Sequence, residues 1–190
     1  AVYAPMVAAT TTAAQQAGAK AGAAYLAANG PKLVSVMADA GLELANIINT
    51  QIFAKGAKYV VVNNLPDVSV SPSARAQSAS AQQLINGMAS GFNTALRAGL
   101  GEEPRLLYVD LFAMSRDQIA DPTKYGLTNT TSVACGPNAG GTSSLLCNGT
   151  NLTAGDVSKY MFADSVHPTP YEHSLVAKFI LEQMMLTGWL

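Results

Sequence analysis

Asp164 and His167 stand three residues apart in the run Asp164-Ser165-Val166-His167-Pro168. A carboxylate at that spacing in a tight loop can accept a bond from one imidazole nitrogen. This fixes the tautomer and leaves the other nitrogen as a base for a hydroxyl. The run follows the short apolar stretch Tyr160-Met161-Phe162, and open α/β sheets bind ligands beyond the carboxyl ends of their strands. Asp-x-x-His also arises often by chance, so the spacing alone leaves open a structural pair in a non-catalytic α/β binding module. The second histidine, His173, lies in the helical pattern after Pro170 and reads as a helix-surface or partly buried residue.

Other chemistry-bearing residues are fewer. Asp67 and Asp110 each follow a strand-like run; they either face a site or cap the next helix, and capping is the commoner role. Gly87-Met88-Ala89-Ser90-Gly91 has the wrong spacing for a Gly-x-Ser-x-Gly nucleophile elbow. Cys135 and Cys147 flank a loop rich in Gly, Ser and Asn. A bridge there would restrict the unfolded chain and suit an oxidising compartment; two buried free thiols are the alternative. Two cysteines with no nearby histidine are too few ligands for a metal. Asn-x-Thr sequons begin at Asn129, Asn148 and Asn151, and polar-loop composition accounts for them. Tyr171, Met184, Met185 and Trp189 read as packing residues before contacts to an acyl chain.

The elements that must position these residues follow from periodicity and punctuation. Ala1 to Ala28 is alanine-dominated, and Asn29-Gly30-Pro31 predicts a stop. A second helix is expected after Pro31, with Leu33, Val36, Met37, Ala40, Leu44, Ile47, Ile48 and Ile52 on one face and Gly56 closing it. Lys58 to Asn63 reads as a buried parallel strand. Leu65-Pro66-Asp67 then leads into a loop ending near Pro72. A helix from about Ser78 to Ala98 carries Leu84, Ile85, Met88, Phe92 and Leu96, and Gly99 and Gly101 end it. Arg105 to Asp110 is the second strand. Leu111 to Ala120 is a short helix stopped at Asp121-Pro122, and Gly126 to Asp156 a long polar loop. Tyr160 to Phe162 and a helix from about Pro170 to Thr187 finish the chain. Alternating helices and short apolar strands predict an α/β layered domain with a parallel sheet. Two or three strands make a poor sheet, so residues 1–190 read as the C-terminal part of one larger domain.

The 190 residues are 49% hydrophobic and 12% charged, about half the usual charged share, with a net charge of −1. That balance argues against disorder and gives no electrostatic basis for binding nucleic acid or an anionic membrane. No apolar stretch is long enough to span a bilayer, and no signal-peptide pattern opens the chain. Polar positions are filled by Ser, Thr, Asn, Gln and Gly, a vocabulary common in exported bacterial proteins.

Four places in order carry a resemblance to a known family. They are Ala57 to Asp67, with its Leu65-Pro66-Asp67 turn; Val109-Asp110-Leu111-Phe112; Tyr125-Gly126-Leu127-Thr128-Asn129 with the following cysteine pair; and Phe162 to Thr169. Together they resemble the GDSL esterases and lipases of the SGNH-hydrolase superfamily, looking closest to the bacterial secreted and autotransporter-type branch. The resemblance implies a flavodoxin-like α/β/α fold and ester hydrolysis by a Ser–His–Asp triad. His167 would be the base and Asp164 its orienting acid, with no metal or organic cofactor. It also implies a secreted, periplasmic or outer-membrane-attached protein acting on an ester or lipid; a polysaccharide or other acyl-polymer deacetylase would use the same residues. The chain departs from the family toward its N-terminus. Gly155-Asp156 is followed by Val157 rather than Ser. Neither Gly136-Pro137-Asn138-Ala139 nor Gly149-Thr150-Asn151-Leu152 makes the Gly-x-Asn-Asp block. The nucleophile and oxyanion donors are therefore expected from an upstream N-terminal segment, and this chain alone is expected to be inactive.

Overall fold

The computed structural model describes residues 3–190, with side chains placed from Ala14 onward. The first two residues of the helix expected from Ala1 lie outside that range. From Tyr3 to Ile47 the chain forms one helix, α1, that runs straight through Pro31. The predicted stop at Asn29-Gly30-Pro31 is thus corrected. Proline removes one helical hydrogen bond and crowds the preceding turn, which disfavours but does not forbid continuation. Packing supplies the compensation: Gly30 is buried and lies against Leu84. Beyond Ile47 the helix widens by one turn at Ile48–Ile52 and tightens at Phe53–Lys55. Gly56 closes it with a left-handed φ of 90°.

The face that α1 buries overlaps the predicted one only in part, at Ile48 and the half-buried Leu33, Met37 and Ala40. Gly41, Ala45 and Ile48 are buried, whereas Val36, Leu44, Ile47 and Ile52 are exposed. The partner is α3 (Ala79–Leu100), capped by Ser78, whose hydroxyl accepts from the Ala81 amide. Small residues set the approach. A methyl group on Gly41 would meet the Phe92 carbonyl, and one on Gly99 would come within 2.6 Å of the Ala45 Cβ. Periodicity counts bulky apolar residues, but two backbones this close leave room only for small ones.

The strands follow the expected order. β1 (Val60–Asn63) pairs in parallel with β2 (Leu106–Val109), in the register Val60 to Leu106 through Asn63 to Val109. Between them lie the short α2 (Pro72–Arg75) and α3. Ala45, Ile48, Phe53, Val62, Leu96 and Leu100 form the core under this pair. After β2 comes α4 (Leu111–Ala120), with the bounds expected.

The long polar loop predicted over Gly126 to Asp156 is interrupted by a strand. Asn129–Val133 is β3, which runs parallel to β4 (Tyr160–Phe162) with a register shift between Asn129 and Val133. Its polar residues hid it, although its two threonines and valine favour extended backbone. The molecule is α/β, and its four described strands form two parallel pairs. α5 (Pro170–Leu186) packs over β4, where Leu127, Met161 and Phe162 make a second core with Tyr171 and Leu175 against it.

The α1–α3 approach gives a prediction. Alanine is the better helix former by about 1 kcal/mol. Gly41→Ala should nonetheless destabilise the protein by roughly 1–3 kcal/mol, because backbone and not a flexible side chain blocks the added carbon. Thermal unfolding checks this, and a raised melting temperature would contradict it.

Candidate active site

Four hydrogen bonds hold the loop after β4. The His167 carbonyl accepts from the Ala163 amide at 2.8 Å, and the Met161 carbonyl from the Thr169 amide at 3.0 Å. The Ser165 carbonyl accepts from Ser73 at 2.9 Å, tying the loop to the start of α2. Thr169 then caps α5, its hydroxyl oxygen accepting from the Glu172 amide at 3.1 Å. Phe162 and Pro168 pair across the loop, so the chain folds back on itself within five residues.

That turn brings Asp164 and His167 together. The His167 Nδ1 lies 2.9 Å from both carboxylate oxygens of Asp164. Asp164 Oδ1 accepts from the amides of Val166 at 2.9 Å and His167 at 2.8 Å. Oδ2 accepts from the Ser144 amide at 2.8 Å. Burial opposes the charge on Asp164, but the bonds from His167, Ser144 and Val166 outweigh it and hold the carboxyl well below its ordinary range. Asp164 is buried, while the His167 side chain is 68% exposed. With Nδ1 turned to the carboxylate, Nε2 is the nitrogen left for another hydroxyl. Among the described residues nothing hydrogen-bonds to it.

The remaining candidate residues sort themselves. Asp67 and Asp110 are caps: Asp67 accepts from the Ser69 amide at 3.1 Å, and Asp110 from the Ala113 amide at 2.9 Å. Both are tied further. Asn86 donates to Asp67 at 3.0 Å, and Asn64 to Asp110 at 2.8 Å. Asn93 clamps the chain leaving β1, accepting from the Leu65 amide and donating to its carbonyl, each at 2.8 Å. His173 is exposed on α5. The Tyr171 hydroxyl donates to the Tyr125 carbonyl at 2.9 Å, and Trp189 meets Tyr59 edge-on with centroids 5.1 Å apart. Both are packing contacts, whereas Met185 is exposed. Cys135 and Cys147 form a disulfide. No group of potential metal ligands occurs among the described residues.

Two residues near the pair carried no sequence signal of their role. Ser144 lies in the segment read only as loop; its main-chain amide binds Asp164, and its side chain also lowers the Asp164 carboxyl. Glu172 occupies the third position of α5, where a carboxylate normally serves the helix end. Here it turns inward and accepts from Gln118 at 3.1 Å. It borders a mostly apolar cavity of about 220 Å³, whose wall includes Val70, Leu111, Met114, Phe162 and Val166. Val166 is the immediate neighbour of His167.

The site is thus an oriented imidazole at the end of a strand in an α/β chain. No protein-family model matches the chain. The chain is similar to proteins named GDSL esterase/lipase and to one named lipase. One GDSL esterase/lipase of Arabidopsis thaliana is 28% identical over 144 residues, covering 70% of this chain and 41% of the relative. A second from the same plant is 36% identical over 106 residues, covering 54% and 26%. Lipase 1 of Photorhabdus luminescens is 38% identical over 81 residues, covering 41% and 12%. The chain therefore spans at most about two-fifths of the length of these relatives.

Burial pushes the Glu172 carboxyl up to about 7, the bond from Gln118 offsetting only part of that effect. In the unfolded chain such a group ionises near 4.5. Between those values the unfolded chain releases a proton that the folded chain keeps, so this residue lowers stability as pH rises through the window. Glu172→Gln should remove that dependence, and with it a cost on the order of 3 kcal/mol above pH 7. Denaturant unfolding at pH 5 and pH 8 checks it; an equal slope in the variant would contradict it.

Proposed function

We propose that the chain is part of a GDSL-type carboxylic-ester hydrolase in which His167 is the general base and Asp164 orients it. The observation that carries the reading is the geometry of the pair: Nδ1 bound at 2.9 Å to a buried carboxylate, on an imidazole that is otherwise open. A serine hydroxyl placed at Nε2 gives up its proton as its oxygen attacks the acyl carbonyl. The imidazolium then returns that proton to the leaving alcohol. Water, activated by the same nitrogen, hydrolyses the acyl-enzyme. Throughout, Asp164 stays ionised and stabilises the imidazolium.

The serine and oxyanion donors come, in this proposal, from a segment upstream of Ala1 that completes the same domain. Two features support it. Among the described residues β1 pairs only with β2. The α1 face with Val36, Leu44, Ile47 and Ile52 exposes bulky apolar side chains that a further layer would cover. The substrate is an ester or lipid. The apolar cavity beside Val166 supports an acyl group there, and acyl-polymer deacetylation would use the same residues. The disulfide supports export to an oxidising compartment.

In the intact protein, His167→Ala should lower kcat/KM for p-nitrophenyl butyrate by roughly 10³–10⁴-fold. The melting temperature should hold, because the imidazole is mostly exposed. The 190-residue chain alone should not hydrolyse this ester. Turnover near the native value in the variant would favour a binding module in which the pair is structural.

A further inference from the structure

The acid of the pair is held partly by a segment that belongs to neither its strand nor its loop. Of the three main-chain amides on Asp164, two come from its own turn, Val166 and His167, and both reach Oδ1. The third is Ser144, twenty residues away in sequence, and it is the one amide on Oδ2. The distinction matters because rotation about the bond to a carboxyl group is soft. Donors on one oxygen let the group swing; donors on both fix its plane and keep both oxygens on Nδ1.

The Cys135–Cys147 loop brings Ser144 there. Leaving β3, the Ala134 and Cys135 amides donate to Phe162 and Ala163 at 2.9 and 2.8 Å, which carries the chain alongside β4 to the residue before Asp164. Cys135 is buried there. The loop then leaves the surface of the domain, and from Pro137 to Cys147 no residue is buried. It returns at Ser143, whose carbonyl accepts from the Asn138 side chain at 3.0 Å. Ser144 opens the short turn Ser144–Leu146, and the Cys147 amide closes that turn on the Ser144 carbonyl at 3.1 Å. The disulfide then ties Cys147 to Cys135, with Cα atoms 5.7 Å apart. The loop buries little apolar surface; Asn151 holds its returning arm, accepting from the Gly136 amide at 2.7 Å and donating to the Leu146 carbonyl at 2.9 Å, and the disulfide is the covalent tie that fixes the turn beside β4. Gly140, Thr142 and Ser143 complete the shallow groove around the pair, and no ionisable side chain other than Asp164 and His167 lines it.

We propose that Ser144 is a positioning residue for the acid–base pair, and that the Cys135–Cys147 disulfide acts in catalysis by holding the Ser144 amide on Asp164. The inference rests on the assignment of Asp164 and His167 as the working pair, but its geometry can be tested without any ester.

Ser144→Pro removes the amide and spares the disulfide. Proline is tolerated at the first position of a helical turn. Ser143 has ψ 133°, the extended conformation that a residue before proline adopts. In the intact protein this variant and Cys135→Ala/Cys147→Ala should both raise the acid titration midpoint of Asp164, followed by the 13C shift of its carboxyl. Both should lower kcat roughly 10-fold with KM little changed, the usual scale for losing a bond to a charged group. Ser144→Ala keeps the amide and removes only the hydroxyl's share of the effect on Asp164, so it should lie nearer the native protein than Ser144→Pro in both readouts. An Asp164 midpoint that stays in place in Ser144→Pro overturns the proposal, and so does an equal effect of Ser144→Ala. Should the cysteine variant fail to fold, the comparison of the two Ser144 variants decides alone. A midpoint that moves in a protein with no esterase activity would keep the positioning role and remove the catalytic reading.

Discussion

A buried carboxylate persists as a charge only where donors meet it, and Asp164 imposes that condition on everything around it. Its oxygens take three main-chain amides and one imidazole nitrogen. To supply them, the chain must turn tightly after β4, and a separate loop must arrive from the other side. The turn is tied to the start of α2 through Ser165 and to β4 through Ala163. The loop is tied by its disulfide. What emerges is an asymmetric pair, with the acid enclosed and the imidazole exposed.

The scaffold beneath relies on close approach and on amides that clamp backbone. α1 and α3 meet through Gly41, Ala45 and Gly99, an arrangement with no slack for an added carbon. At the carboxyl ends of β1 and β2, Asn64 bonds Asp110 and receives the Phe112 amide at 2.9 Å, while Asn93 grips both polar groups of Leu65. These side chains leave the strand ends with satisfied backbone and fixed loops, the condition for a site built on loops to hold its geometry. Glu172 opposes this trend. It is a buried acid with one neutral donor, and burial raises its carboxyl to about 7.

Much of this was legible in the sequence, and the exceptions have physical causes. The β-branched and apolar runs at Val60 and Leu106 announced the parallel pair. Ser78 and Asp110 announced helix starts, because short polar side chains serve orphan amides. The polar loop flanked by Cys135 and Cys147 suggested the disulfide, with two free thiols as the alternative, and the spacing of Asp164 and His167 allowed their contact without fixing its role. The stop at Pro31 was misread because a local breaking tendency was overruled by packing of Gly30 on Leu84. The buried face of α1 was read only in part because glycine and alanine add little to an apolar count. β3 was missed because its residues are polar. Ser144 was beyond sequence reading altogether, since a main-chain amide leaves no trace in residue type.

The central claim is that Asp164 and His167 work together to activate a serine. The most direct test is the rate at which a fluorophosphonate labels the intact protein, compared with its Asp164→Asn variant. The account predicts labelling of one serine, outside residues 1–190, and a rate that collapses in the variant while the fold is retained. Equal labelling rates, or no labelled serine in the native protein, would contradict it.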